Sequence, residues 1–163
     1  MGGGRSIVYV GSSLLEQNIG PDREGSSVNG TRSFVDQLLA ATNRHDLDRL
    51  VACFANDYEN QTPVHPARGF RGSDQVRRNW REIFAFVPDI RADLMGLAID
   101  GDTAWTEWDM SGTRSDGTSV HLRGVVIFGV RDGVAQRARF YLEPVDEGST
   151  TVDEARRQQV VRE

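Results

Sequence analysis

The chain of 163 residues is 38% hydrophobic and 26% charged, which is the composition of an ordinary globular protein with one domain. Its net charge of −5 and isoelectric point near 5.2 argue against a nucleic-acid partner, because binding phosphates requires a cluster of basic side chains. The longest apolar run, GVVIFGV at 124–130, is too short to span a bilayer, so we expect no membrane partner.

Both ends of the chain are predicted to lie outside the folded domain. Residues 1–31 are rich in Gly, Ser and Asn without sustained periodicity, which predicts a flexible extension that includes the stretch SIVYVG. The domain is expected over 32–145, and 146–163 are expected to form a tail or a short helix. A single cysteine and the lack of a convincing secretion signal favour a cytoplasmic protein.

Three helices are predicted in the first half of the domain. Ser33 can cap a helix through FVDQLLAATNR, and Asp46 can cap a second helix through LDRLVACF. Ser73 can cap a third helix, DQVRRNWREIFAFV, which ends before Pro88. Trp80 lies on the apolar stripe of this third helix, where it would pack in the core and, in a hollow fold, also contact a ligand.

Four strands are predicted after residue 90, where the hydrophobic period changes to two. The runs are separated by Gly101, by SDG at 115–117 and by RDG at 131–133, a pattern that predicts an antiparallel meander. Helices followed by strands indicate an α+β fold with the helices packed on one face of a curved sheet.

The strand TAWTEWDMSG, at 103–112, can bury either of its two faces. Trp105, Glu107 and Asp109 share one face, and Trp108 and Met110 share the other. If 116–117 form a two-residue turn, the two carboxylates face the core of the protein. If 115–117 form a three-residue loop, the register slips by one and the other face is buried. The turn residues alone leave both registers open.

A three-residue loop is predicted for the second hairpin, with Gly133 in the left-handed conformation. This loop would place Phe140 opposite Gly124. In the inward register of the preceding strand, Asp109 would be a neighbour of both. The glycine would then leave room for a ligand between an acid and an aromatic ring.

Four segments, in this order over roughly 33–145, resemble the SnoaL-like branch of the nuclear transport factor 2-like superfamily: NRHDLDRLVACFANDY, GFRGSDQVRRNWREIFAFVPDIRADL, DGDTAWTEWDMSGT and RDGVAQRARFYLEPV. The resemblance implies a cone-shaped, curved antiparallel sheet closed by N-terminal helices, with an internal apolar cavity and frequent dimerisation through the sheet. This superfamily hosts polyketide cyclases, a ketosteroid isomerase, a limonene epoxide hydrolase, dehydratases and binding proteins, so the fold does not by itself define an activity.

The family's catalytic residues are only partly present. The isomerase has an aspartate base directly before a proline, but here Thr62 precedes Pro63. Tyr58 and Asn60, in DYENQTP, resemble the tyrosine and asparagine of the epoxide hydrolase. The resemblance implies that these two side chains orient a carbonyl, an epoxide or a water molecule.

The hydrolase also has two aspartates joined by an arginine. Asp109 resembles the first aspartate, but Glu107 stands at the position of the arginine. Phe140 stands at the position of the second aspartate and of the cyclases' catalytic aspartate. The likeness to the hydrolase nevertheless favours the inward register. Two acids in an apolar cavity would then couple, and one of them would hold a proton.

The resemblance and the inward register together predict acid–base chemistry on a small apolar cyclic metabolite, by an isomerase, cyclase, dehydratase or hydrolase. Asp109 would transfer the proton and Glu107 would assist it, while Tyr58 and Asn60 orient the reacting oxygen. The predicted substrate contacts are Trp80, Trp105, Phe140 and the loop histidine His65. The alternative is a non-catalytic binding or dimerisation module of the same fold.

The same register predicts a homodimer, because it gives the outer sheet face a mixture of aromatic, Met and Arg side chains that is typical of interfaces. These residues are Trp108, Met110, Arg123, Val125, Ile127, Arg139 and Tyr141. Three scattered histidines give no metal-ligand spacing, so no metal is expected. No glycine-rich phosphate loop is present, so no cofactor is expected either.

Overall fold

The computed structural model describes residues 21–146 and 148–160, in which two helices and two strands are followed by a third helix, four strands and a fourth helix. Across these residues the order is α1 (Pro21–Arg44), α2 (Leu47–Ala52), β1 (Phe54–Gln61), β2 (Phe70–Arg71), α3 (Ser73–Phe86), β3 (Arg91–Asp100), β4 (Thr103–Thr113), β5 (Ser119–Arg131), β6 (Val134–Pro144) and α4 (Val152–Val160). A short 3-10 helix, Pro66–Arg68, lies between β1 and β2. The predicted α+β class is confirmed.

Helix α1 begins earlier than the sequence predicted. It begins at Pro21 rather than at Ser33, and proline suits the first turn of a helix because its missing N–H would be unpaired there. Thr31, placed by the sequence in the extension, is 1% exposed, and its hydroxyl donates to the Gly101 carbonyl over 3.0 Å. The stretch SIVYVG lies outside the described residues.

Helices α2 and α3 lie close to their predicted positions. Asp46 caps α2 as predicted, since its carboxylate accepts a hydrogen bond from the Arg49 backbone N–H over 3.1 Å. In α3 the predicted cap Ser73 is the first helical residue, and Gly72, with φ +90°, occupies the capping position instead. The helix ends at Phe86, before Pro88 as predicted.

The six strands form one curved sheet in the order β2-β1-β6-β5-β4-β3. Strands β3 to β6 pair as the predicted antiparallel meander. Strand β1 lies outside this meander and joins β6 in parallel. The pairing connects strands far apart in the chain, and no local pattern in the sequence indicates it.

The β4–β5 hairpin has the three-residue loop. Gly117, with φ +87°, donates its N–H to the Arg114 carbonyl over 2.8 Å, and Arg114 pairs with Thr118. Asp109 therefore lies opposite Arg123, and Trp108 lies opposite Gly124. The predicted inward register of the two acids, Glu107 and Asp109, is wrong.

The physical reason for this register is the difference between the two faces of β4. In the observed register Trp108 is 5% exposed and Met110 is 7% exposed. Burying such a side chain gains about 2 kcal/mol. The opposite register would bury Glu107 and Asp109, and a buried carboxylate without a partner is strongly unfavourable.

The β5–β6 hairpin also differs from its prediction. Its loop has two residues, Asp132 and Gly133, both with positive φ, rather than three. A bulge next to Gly129 then shifts the register, so Phe140 lies opposite Val126 and not opposite Gly124. The bulge compensates for the shorter turn and keeps the apolar side of β6 turned inward.

The core lies between α1 and the inner face of the sheet. Phe34 packs edge-to-face on Phe128, with 5.1 Å between ring centroids. Val35 from α1, Leu50 from α2 and Ala104 from β4 are fully buried beside this pair. The helices therefore close one end of the curved sheet.

Candidate functional site

The inner face of β1 carries a buried pair of polar side chains. Tyr58 is 1% exposed and Asn60 is 8% exposed, and their alternation on the strand turns both inward. The Tyr58 hydroxyl donates to Oδ1 of Asn60 over 3.1 Å. Burial raises the pKa of the Tyr58 phenol far above its ordinary value, so the group stays neutral and acts as a hydrogen-bond donor.

The amide nitrogen of Asn60 is the free end of this pair. Its oxygen accepts from Tyr58, whereas Nδ2 donates to no other described residue. No fully buried side-chain polar atom of the described residues lacks a partner, so Nδ2 retains contact with solvent. A depression of about 500 Å³ adjoins this residue, bounded by Phe70, Pro63 and Pro66.

A second polar pair, missed by the sequence analysis, lies on β4. Trp108 donates its indole N–H to the Thr106 hydroxyl over 2.7 Å, and that hydroxyl donates to the Val126 carbonyl over 2.6 Å. All these groups are satisfied within the protein, so they fix the indole rather than offer a bond to a ligand. The alternation of side chains along β4 was the available signal, but the predicted register places Trp108 on the outer face.

Inward-facing side chains of β5 and β6 change from buried to half-buried along the sheet. Phe128 is 2% exposed and Ala138 is 0% exposed at the closed end, whereas Leu122, Phe140 and Leu142 are half-buried at the other end. Solvent therefore reaches the apolar interior there. We call this region the open end and define it by the half-buried apolar residues Trp80, Phe84, Leu94, Leu122, Phe140 and Leu142.

Two of the four predicted substrate contacts belong to the open end. Trp80 packs on Phe84, with 5.3 Å between ring centroids, and Phe140 packs edge-on to Phe128 at 6.3 Å. Trp105 is 48% exposed on the outer sheet face, so its predicted inward placement is wrong. The physical reason is the β4 register, which turns every side chain of the Glu107 face outward.

His65, the fourth predicted contact, lies in the loop after β1 and close to the end of β6. Its Nε2 atom is 3.3 Å from Oε1 of Glu143, and both side chains are partly exposed. The Thr62 hydroxyl holds the loop by donating to the His65 carbonyl over 2.7 Å. The structure gives this pair no contact with Tyr58 or Asn60.

Asp109 forms an ionic cluster on the outer face instead of facing the interior. Its carboxylate accepts from Nε of Arg123 at 2.5 Å and lies 2.9 Å from Nε2 of His121. The hydrogen bond from Arg123 holds the pKa of Asp109 below its usual value, with His121 adding to the effect against partial desolvation. An acid that is ionised at neutral pH cannot serve as the predicted proton donor.

Glu107 is exposed on the same outer face, where it lies opposite Val125. The coupled pair of inward acids is therefore not formed. The buried polar side chains are Thr31, Thr42, Asn60 and Thr106, so no carboxylate is buried among the side chains whose burial is described.

Residues 21–146 and 148–160 contain neither a cluster of metal ligands nor a helix that could span a membrane. No group of three or more His, Cys, Asp or Glu side chains in these ranges could hold a metal ion. No helix in the same ranges is long and apolar enough to cross a membrane.

Known proteins identify the fold. Residues 35–138 match the model of the SnoaL-like domain family. A comparison with curated proteins found no match.

Solved structures give the same result, although their identities are low enough to show the fold alone. A candidate ketosteroid isomerase from Kribbella flavida DSM 17836 is 20% identical over 84% of this chain and 91% of its own, with a TM-score of 0.61. An epoxide hydrolase of M. tuberculosis similar to limonene epoxide hydrolase is 19% identical over 71% and 84%, with a TM-score of 0.62. A candidate SnoaL-like polyketide cyclase from Jannaschia sp. CCS1 is 15% identical over 78% and 91%, also with a TM-score of 0.62. The chain belongs to the SnoaL-like domain family.

Proposed function

We propose that the protein binds a small apolar ring compound in the depression beside Asn60 and holds an oxygen of that compound at Asn60. The observation behind this proposal is the amide Nδ2 of a residue only 8% exposed, which donates to no described residue. This donor is accessible to solvent, and a hydrogen bond from it to a ligand oxygen contributes about 1 kcal/mol. Phe70, Pro63 and Pro66 around the adjoining depression supply the apolar surface that is typical of small-molecule sites.

Binding without turnover is the function that the interior supports best. A general acid or base needs a titratable group near the reacting atoms. No carboxylate is buried among the side chains whose burial is described, and the Tyr58 phenol is neutral because burial raises its pKa. A catalytic role of Asp109 and Glu107 requires the inward register of β4. In the structure both side chains lie on the outer face.

Acid–base turnover of the same ligand is the second candidate. It is favoured by the fixed geometry of Tyr58 and Asn60, because the Tyr58 hydroxyl bonds the Asn60 oxygen and so fixes the amide, whose N–H can orient a water molecule or a carbonyl group. The resemblance to the epoxide hydrolase implies this role for the two side chains. A base would then have to come from solvent or from a loop such as the one that carries His65.

The test is a binding titration followed by Trp fluorescence, with a panel of cyclic ketones and epoxides as probes. Asn60→Ala should weaken binding about fivefold, the value of one hydrogen bond near 1 kcal/mol. Asn56→Ala, an exposed position on the same strand, is the matched control and should leave affinity unchanged. If Asn60→Ala and Asn56→Ala bind every probe equally well, Asn60 does not belong to the site. Product formation in the same samples would favour acid–base turnover.

We also propose that the protein is a homodimer through the outer face of the sheet. Trp108 and Met110 do not belong to this face, contrary to the prediction, because they are buried inside. Trp105 and Tyr141 are 48% and 38% exposed there, next to Val125 in the middle of the sheet. Large exposed aromatics beside apolar neighbours and surrounded by charges resemble the anatomy of an interface.

A further inference from the structure

A cavity of about 300 Å³ opens on the outer face of the sheet, on the opposite side from the ligand site proposed above. It lies where β6 meets β1 on one side and β5 on the other. Its lining consists of Gln61, Thr103, Ile127, Gly129, Arg137 and Arg139. Apart from the Ile127 side chain and the glycine, every lining residue carries a side-chain hydrogen-bond donor.

The strand register brings these donors together. Arg137 and Arg139 are two residues apart on β6, so their side chains leave the same face about 7 Å apart. Arg139 pairs with Gln61 of β1 on one side and with Ile127 of β5 on the other. Ile127 is 7% exposed and forms the apolar floor of the cavity.

Gly129 makes room for the side chain of Arg137. The two residues lie opposite each other, and a Cβ atom at Gly129 would be 3.0 Å from both Cγ and Nε of Arg137. That separation is tighter than ordinary van der Waals contact. The arginine side chain therefore lies across the glycine backbone, and any larger residue would push the guanidinium group away from its position.

The two guanidinium groups are uncompensated within the described residues. Neither Arg137 nor Arg139 appears in any ion pair there. Glu59 lies opposite Arg137, but its carboxylate is bonded to Arg71 at 3.1 Å and to Gln61 at 3.0 Å. Two neighbouring positive charges repel each other, and an anion between them removes that repulsion.

We propose that this cavity binds a small oxyanion, a carboxylate or a phosphate group, between the guanidinium groups of Arg137 and Arg139. Planar guanidinium groups suit such ligands because they donate two parallel hydrogen bonds. The Gln61 amide has one N–H left after its bond to Glu59, and the Thr103 hydroxyl completes the set of donors. This site goes beyond the proposed ligand site, which lies on the inner face of the sheet, and it shares the outer face with the proposed dimer interface.

Isothermal titration calorimetry of the full chain at low ionic strength tests the proposal, with inorganic phosphate and acetate as separate probes. Saturable binding of at least one probe is expected, and it should be at least tenfold weaker in the double variant R137Q/R139Q. Gly129→Ala leaves the charge unchanged and should also weaken binding. Arg81→Gln on α3 removes an exposed arginine elsewhere and should have no effect, with circular dichroism checking the fold of each variant.

Three results would overturn the proposal. The first is the absence of saturable binding in the parent protein. The second is equal weakening by R137Q/R139Q and R81Q, which would indicate only general charge screening. The third is saturable binding by the parent that R137Q/R139Q leaves unchanged, which would place the anion elsewhere on the protein.

Discussion

Trp108 lies opposite Gly124, and this glycine has a backbone that almost no other residue could adopt. Its φ is +150°, and a Cβ atom there would overlap the carbonyl oxygen of Tyr141 and lie 2.9 Å from the Cα of Leu142. The obstacles are backbone atoms, which cannot move without breaking the β5–β6 pairing. The glycine is therefore required where the buried indole meets the bend in the sheet.

Gly124→Ala is expected to destabilise the protein by about 3 kcal/mol, because it combines backbone strain with steric overlap. The measurement is urea unfolding followed by circular dichroism. Gly30→Ala is the control, since a Cβ atom there meets nothing within 4 Å and lies in a helix. It should stabilise the protein by up to about 1 kcal/mol. Equal stability of the two variants would contradict the β4–β5–β6 geometry.

Asp109 is expected to make the stability of the protein depend on pH in the acid range. Its pKa is lower in the folded protein than in the unfolded chain, because Arg123 and His121 bond to the ionised form. Its contribution is therefore fully present above about pH 4 and is lost as the pH falls through the lower, folded value. Asp109→Asn should be less stable than the parent protein at pH 7, and the difference should shrink below pH 4.

Urea unfolding of the Asp109→Asn variant from pH 7 to pH 2 measures this difference directly. Glu107→Gln is the control, because Glu107 lies on the same face and forms no ion pair with a described residue. That variant should unfold like the parent. If the difference in stability between Asp109→Asn and the parent protein stays constant with pH, the ionic cluster does not stabilise the folded state.

The dimer proposal predicts that Trp105→Glu yields a monomer. A carboxylate in place of an exposed indole would place a charge inside the proposed interface, where desolvation is costly. Sedimentation equilibrium at several protein concentrations measures the assembly state. Val152→Glu is the control, since Val152 is 82% exposed on α4, and it should remain a dimer like the parent. A parent protein that is monomeric at every concentration would contradict the proposal.

Cys53 is expected to be unreactive in the folded protein. It is 5% exposed, and burial raises the pKa of its thiol to about 11. At pH 8 only about one part in a thousand is then the reactive thiolate. Alkylation by iodoacetamide, followed by mass spectrometry, should be slow in buffer and fast in denaturant. Because this is the one cysteine in the chain, rapid native labelling would directly contradict its burial.

The sequence predicted the elements whose pattern is local. Asp46 at the start of α2 and Pro88 after α3 mark helix ends by short-range chemistry, and the meander follows from a period of two. The first turns of α1 were missed because PDREGSSVNG contains two glycines and little periodicity. Tertiary contacts hold this segment, among them the bond from Thr31 to the Gly101 carbonyl.

The candidate site could be predicted only in part, because the two β4 registers differ by one loop residue. Tyr58 and Asn60 lie inside, where the resemblance implied a functional pair. The resemblance to the hydrolase favoured an inward Asp109. The observed register buries Trp108 instead, which stabilises the folded state, and it keeps Asp109 bonded to Arg123. Comparing the burial energies of the two faces would have selected the correct register.

The parallel pairing of β1 with β6 sets the order in which the candidate site can form. Strand β1 carries Tyr58 and Asn60, and its only nearby partner along the chain is the two-residue strand β2. Its longer partner, β6, begins at Val134, so the contact has a large sequence separation and forms late in folding. During synthesis, β3, β4 and β5 can pair in turn with neighbours along the chain, whereas the strand that faces the proposed ligand gains its longer partner only after β6 has been made.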